Sequence, residues 1–329
     1  MTDARLPLRK WTDPRLTGWL ECIPNVSEGR DNVQLEAMEA VIRSVPGVYL
    51  LHRDTNADAH RTVFTWVGQA EAVAEAAFQL YRWTSEHLAM EEHRGAHPRQ
   101  GAVDVCPLVA LGETPWSVAT ETAQKLAHRL ASELDLGGWF YEKSATRPER
   151  TRLADFRRGG YESLPAKAVD PAWTPDFGSF SRWKKTGMTV VGARPLLVAY
   201  NFTLSPSLDL SDAQWIAAHI REPKGGMPGL RALGWYLDGY NRAQVSCNLT
   251  QTEDVTAKQV WDAVEGLAVA RGGSVSGSEP IGLLPAHTLR DFSSPQEALD
   301  YLKLDHLASF DPQERILENA LNTLPLEAF

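Results

Sequence analysis

The stretch VYLLHRDTNADAHRTVFTWVG (Val48–Gly68) decides the fold class. Val48–Asp54 reads as an apolar strand. Arg61–Gly68, rich in β-branched and aromatic side chains, reads as a second strand. The polar run Asp54–Arg61 joins them. Helical spacing brackets the pair. Upstream, Leu35, Met38, Val41, Ile42 and Val45 recur along one face of Asp31–Val45, after Ser27 and Glu28 near a turn, and Pro46-Gly47 ends the helix. Downstream, Ala70–Met90 is a long helix rich in Ala and Glu. A short strand, Gly18–Pro24, precedes the set, and Val103–Leu111 closes it. The resulting order, β-α-β-β-α-β, is the split unit of ferredoxin-like folds.

The second half repeats the order. Met188–Leu204 holds apolar strand material around Gly192-Ala193-Arg194, and Asp212–Arg221 is a helix with Ser211 as its candidate cap. Gly229–Leu237 and Arg242–Thr250 flank the turn Asp238–Asn241 as a hairpin. Val255–Arg271 is a helix and Ser274–Leu284 a strand. The expected class is therefore α+β, an α/β sandwich of two ferredoxin-like βαββαβ-type subdomains over 20–187 and 188–329, after a short extension over 1–19. Between the halves, Trp116–Leu134 and Pro148–Arg157 read as helices around a strand at Trp139–Tyr141. Leu164–Gly187 reads as a long loop whose Trp173, Phe177, Phe180 and Trp183 pack in a cleft between the halves. Pro295–Leu302 and Pro312–Leu324 are tail helices.

Composition narrows the function classes. Of 329 residues, 43% are hydrophobic and 23% charged, a globular balance that leaves no room for a disordered chain. Lys and Arg number 33 against 42 Asp and Glu, a net charge of −9, which argues against nucleic-acid or membrane-surface binding. The three cysteines, Cys22, Cys106 and Cys247, are odd in number and far apart, as in a reducing, cytoplasmic setting. No apolar run is long enough to span a bilayer, and no apolar segment follows the basic residues Arg5, Arg9, Lys10 and Arg15 to make a signal peptide.

No phosphate-binding loop, dinucleotide-binding glycine pattern or zinc-ribbon spacing is present. Three polar segments stand out instead. ECIPNVSEGR (Glu21–Arg30) runs from a strand into a helix start, whose backbone N–H groups are suited to an anion or polar ring. In Asp54–Arg61, a carboxylate at a strand end beside His60 and Arg61 is suited to a cationic substrate group. In HRGAHPRQGAVDVCP (His93–Pro107), Gly95 and Pro98 interrupt any helix, and His97 between Ala96 and Pro98 is a candidate general base. A metal site at His87, His93 and His97 is the alternative there.

These residues resemble the formiminotransferases (glutamate formimidoyltransferase), folate-dependent enzymes of histidine breakdown. ECIPNVSEGRD (Glu21–Asp31), RTVFTWVG (Arg61–Gly68), HPRQGAVDVCP (His97–Pro107), WTPDFG (Trp173–Gly178), GAR (Gly192–Arg194), GWYLD (Gly234–Asp238), NRAQVSCNL (Asn241–Leu249), GSEPIGLLP (Gly277–Pro285) and DPQERI (Asp311–Ile316) carry the resemblance in order. It implies an N-terminal and a C-terminal subdomain with a folate groove between them, and a homodimer. It also implies transfer of a formimino group from an N-formimino amino acid, N-formimino-L-glutamate by default, to N5 of tetrahydrofolate as co-substrate. No metal is required. The family's catalytic histidine matches His97, and an aspartate of its site matches Asp54. Its folate-binding stretch matches Gly178, Ser179, Phe180, Ser181, Arg182, Trp183, Lys184, Lys185, Thr186 and Gly187. Arg61, Arg99 and Arg194 are candidates for the substrate's carboxylates.

Ala96 stands where better-known members carry an acidic residue, and His60 where they carry Asn. The interior SFSRWKKT of the folate stretch also differs, and these departures bear on the donor amino acid. A separate cyclodeaminase is expected to process the product. The alternatives are a folate-binding protein without transfer, a transferase using 5-formyltetrahydrofolate with a different amino acid, and a metal-dependent hydrolase.

Overall fold

A computed structural model describes residues 10–325. Residues 1–9 of the expected extension lie outside that range. The chain forms two compact units, one running from Thr12 to Arg194 and the other from Pro195 onward with Trp11. The Trp11 N–H donates to Glu318 Oε1 at 3.2 Å.

In the first unit, β1 (Trp19–Cys22) and β2 (Asn25–Val26) are one strand interrupted at Ile23-Pro24, where proline has no N–H to give a ladder. Then come α1 (Asn32–Arg43), β3 (Val48–Asn56), β4 (Arg61–Gln69), α2 (Ala70–His87) and β5 (Val103–Ala110). The broken strand lies between β4 and β5, antiparallel to both, and β3 pairs with the outer side of β4. This is the ferredoxin-like arrangement. An added layer follows: α3 (Trp116–Leu134), β6 (Gly138–Phe140), α4 (Leu153–Arg157), α5 (Leu164–Val169), α6 (Trp183–Thr186) and β7 (Thr189–Ala193). β7 pairs in parallel with β5 and β6, which completes a seven-stranded sheet.

Alternation along β4 splits the sheet's two faces. Phe64 and Trp66 join Leu20, Met38, Phe78 and Leu126 in the core beneath α1, α2 and α3. A second core of Val105, Trp139, Tyr141, Phe156, Leu164 and Val190 packs under the added layer.

Two expectations change here. Thr189–Ala193 belongs to the first unit's sheet, and the chain passes to the next unit at Arg194-Pro195 instead of at 187/188. Pro195 lacks the N–H that would prolong β7. The second change concerns 164–187, which is not a structureless loop. It carries α5, a 3-10 turn at Pro171–Trp173 and α6, and its aromatics pack within the unit. Trp173 meets Trp139 edge-on at 5.6 Å, Phe177 lies 5.4 Å from Phe140, Phe180 5.9 Å from Trp139, and Trp183 5.9 Å from Tyr161. Irregular spacing hid these short helices because side chains from distant strands, not a local stripe, bury them.

The second unit contains β8 (Val198–Leu204), α7 (Leu210–Ile220), β9 (Leu230–Leu237), β10 (Arg242–Leu249), α8 (Ala257–Ala270) and β11 (Val275–Ile281). The sheet order β11-β8-β10-β9, all antiparallel, is again ferredoxin-like. Asp209, not Ser211, caps α7, through a reciprocal capping box with Asp212. After α9 (Pro295–Leu302), the expected last helix is two pieces, α10 (Pro312–Arg315) and α11 (Leu317–Asn322). Ile316 turns extended between them to bridge Leu284. Among the described residues no helix is long and apolar enough to cross a membrane.

Phe64 is fully buried where β4 meets α1 and α2. Phe64→Ala is expected to lower the unfolding free energy of this unit by about 3–5 kcal/mol, read by urea denaturation.

Candidate functional site

Asp104, fully buried on β5, organises one face of the first sheet. Its Oδ2 accepts from Arg157 Nε at 2.7 Å and lies 2.5 Å from Arg157 Nη2 and 3.1 Å from Arg61 Nη2. Its Oδ1 accepts from the Gln100 N–H at 2.7 Å. Arg61, at the start of β4, donates from Nε to Asn25 Oδ1 (2.5 Å) and from Nη1 to the Pro98 carbonyl (3.0 Å). That carbonyl also accepts from His97 Nδ1 at 2.8 Å. A carbonyl only accepts, so Nδ1 carries the proton and the lone pair of His97 is on Nε2.

The electrostatics follow from this packing. Desolvation, then the positive charges of Arg61 and Arg157, lower the half-buried His97 to about 3, so its ring is neutral near pH 7. Burial of Asp104 opposes ionisation, but the Arg157 and Arg61 charges hold it well below the usual carboxylate range. Desolvation brings Arg61 down to about 10 despite Asp104.

A second network fixes the loop before His97. His60 Nε2 lies 3.2 Å from Glu28 Oε1, its Nδ1 lies 2.9 Å from the Arg94 carbonyl, and its ring stacks on His93 at 4.2 Å. His93 Nδ1 accepts from Arg99 Nε (3.2 Å), and His93 Nε2 donates to the His60 carbonyl (2.9 Å). Those roles are those of a neutral ring, and desolvation lowers His93 to about 4. Arg99 grips Glu162 with both terminal nitrogens at 2.7 Å. The helix start at 28–31, expected as an anion site, is already occupied by its own chain. Glu28 Oε1 accepts from the N–H groups of Gly29, Arg30 and Asp31, and Asp31 caps α1. Desolvation raises Glu28, but these bonds and His60 outweigh it and bring the carboxyl down to about 2.

The other expected residues are placed as follows. Asp54 lies on β3, two positions from Asn56, whose ladder partner is Arg61. Asp54 and Arg61 therefore share a face of the sheet. Arg61 is buried with its donors directed to Asn25, Pro98 and Asp104, and Arg99 is held by Glu162 and His93. Arg194, also buried, follows β7 on the side of Tyr141. Of the stretch 178–187, Arg182 donates to the Leu134 and Ser85 carbonyls and Lys185 to the Glu86 carbonyl, so they serve the C-terminal ends of α3 and α2 instead of forming a solvated patch. Ser181 Oγ donates to the Asp135 carbonyl, and Lys184 is exposed. At its far end, Gly187 (φ +67°) bridges Gly101, and a Cβ on Gly187 would stand 2.1 Å from the Gln100 carbonyl. That close approach ties the stretch to the strand that leads away from His97.

Sequence reasoning passed over Asp104 and Asn25, although both stand inside quoted motifs, and it missed Arg157 and Glu162 entirely. No local pattern marks Arg157. It reaches Asp104 because Phe156, fully buried 5.8 Å from Trp139, pins the short helix α4. Among the described residues no three His, Cys, Asp or Glu side chains converge as metal ligands do. His87 instead stacks on Trp83 at 4.3 Å.

Comparison with known proteins gives a consistent result. The model described as "Formiminotransferase domain, N-terminal subdomain" matches residues 19–194, and "Formiminotransferase domain" matches 199–295. The chain is similar to a glutamate formimidoyltransferase of Streptococcus pyogenes serotype M1, 39% identical over 92% of this chain and 98% of the relative. It is similar to another of Thermoplasma acidophilum, 34% identical over 92% and 98%. A formimidoyltransferase-cyclodeaminase of Rattus norvegicus is 37% identical over 91% of this chain, which spans 59% of that longer relative.

The lowered His97 and His93 give a signed pH dependence. Unfolded imidazoles titrate near 6.5, roughly, so between that pH and about 3 for His97 and about 4 for His93 the unfolded chain binds protons the native one does not. Stability is therefore expected to rise with pH across this window. Urea midpoints at pH 5 should lie below those at pH 7, with a smaller gap in His97→Asn; an unchanged gap would contradict the assignment of His97.

Proposed function

Since the chain belongs to the formiminotransferase family and is a formimidoyltransferase, we propose that it moves the formimino group of an N-formimino amino acid, N-formimino-L-glutamate by default, to N5 of tetrahydrofolate, with His97 as base and then acid. The observation that supports this most is the tautomer of His97. Its Nδ1–H is given to the Pro98 carbonyl, which puts the lone pair of the neutral ring on Nε2.

N5 attacks the amidine carbon and loses its proton to Nε2, and a tetrahedral intermediate forms. The imidazolium then returns the proton to the departing amino nitrogen as the C–N bond breaks. A conjugate acid as strong as that of His97 is suited to this second step. The attacked amidinium is cationic, and Asp54 is the carboxylate that orients it. Arg61 acts as a positioning residue, since it holds the carbonyl that orients His97. Gly178–Gly187 is the folate-binding stretch in this reading, joined to the His97 strand at Gly101. Arg194, itself in contact with Tyr141, is a candidate for a carboxylate in this reading, and the donors of Arg61 and Arg99 are turned to protein acceptors.

The reading includes a homodimer in the cytoplasm, and a cyclodeaminase activity on a separate chain as consumer of the product. Light scattering tests the dimer.

His97→Ala is expected to lower kcat for transfer by roughly 10²-fold or more, the scale of a lost general base. Tetrahydrofolate binding, followed by protein fluorescence, should persist. Equal turnover of the two proteins would remove His97 from this role.

A further inference from the structure

Asp104 is the meeting point of two positive charges. One buried carboxylate faces two guanidinium groups, Arg61 and Arg157, and both reach the same oxygen. The two arginines differ in what remains to them. Arg61 is buried, with Nε on Asn25, Nη1 on Pro98 and Nη2 against Asp104. Arg157 gives Nε and Nη2 to Asp104, but its Nη1 has no protein acceptor among the described residues, and its side chain keeps 17% of its surface open. Its charge also acts directly on His97. An unspent guanidinium edge beside a candidate base, on an arginine that shares its one carboxylate with a second arginine, is suited to a carboxylate.

We propose that Arg157 is the donor-binding residue that takes a carboxylate of the N-formimino amino acid and so sets donor specificity. This rests on the reading of His97 given above. Two substrates offer carboxylates, the amino-acid donor and the glutamate tail of the folate. The α-carboxylate of the donor is two bonds from the nitrogen that leaves, so it must lie close to the group that protonates that nitrogen. The folate tail is separated from N5 by the whole aminobenzoyl group. Proximity to His97 therefore favours the donor. A carboxylate held there also offsets the positive field on His97 and strengthens it as a base once the donor is bound. Asp104 holds Arg157 in place, and Phe156 beneath it fixes the helix that presents it.

The test compares wild type with Arg157→Gln. The expected result is a rise in KM for N-formimino-L-glutamate of roughly 10- to 100-fold, the worth of one charge-assisted hydrogen bond. KM for tetrahydrofolate should stay within about twofold, under roughly 0.4 kcal/mol, since the variant removes a contact to the donor and none to the folate. With N-methylformamidine, a donor that has no carboxylate, the two proteins should have equal KM. Arg157→Lys keeps the charge without the fork, so its donor KM should fall between the two; it also carries the test should Arg157→Gln lose its native circular dichroism.

A rise in KM for tetrahydrofolate that disappears with tetrahydropteroate, which lacks the tail, would assign Arg157 to the folate and overturn the proposal. So would an unchanged donor KM in both variants. Calorimetric titration of N-formimino-L-glutamate without acceptor separates this proposal from the transfer reading. Weaker binding in the variants, in a protein that transfers to no acceptor, would sustain Arg157 and sink the role of His97.

Discussion

A single buried carboxylate, Asp104, holds the site together. Two guanidinium groups could not be kept in that interior without it, since burying a charge is costly unless it is paired. Through Arg61 it fixes the Pro98 carbonyl, and through that carbonyl it fixes the tautomer of His97. Through its other oxygen it fixes the Gln100 N–H, the turn of backbone that follows His97. The His97 ring is therefore oriented by the protein's own ion pairs and hydrogen bonds.

The two units share one topology, yet only the first carries the added layer of α3 to β7. That layer brings α4 over the sheet face on which β2 and β4 present Asn25 and Arg61. A bare βαββαβ unit would present Arg61 and Asp104 as a neutral pair. Arg157 adds a second guanidinium at Asp104 and, after desolvation and Arg61, contributes to the lowering of His97.

His60 ties the hairpin of β3 and β4 to the loop that carries His97. Its ring spans Glu28 and the Arg94 carbonyl while stacked on His93. The paired glycines Gly101 and Gly187 act similarly at the other end of the loop, where two backbones approach more closely than any Cβ allows.

The sequence by itself determined the strands and long helices of the two βαββαβ cores, because each buries a periodic apolar face that chain neighbours reveal. His97 and Asp54 were singled out as candidates, one from its place beside proline and one from its strand end, with the family resemblance behind both. Spacing could not show that Thr189–Ala193 belongs to the first sheet, that 164–187 folds into short packed helices, or that Arg61 and Arg99 are held by protein acceptors while Arg157 is open. The arginine pairings depend on partners 36 to 63 residues away. Which guanidinium finds a carboxylate is decided by long-range geometry, and a local pattern carries no record of it.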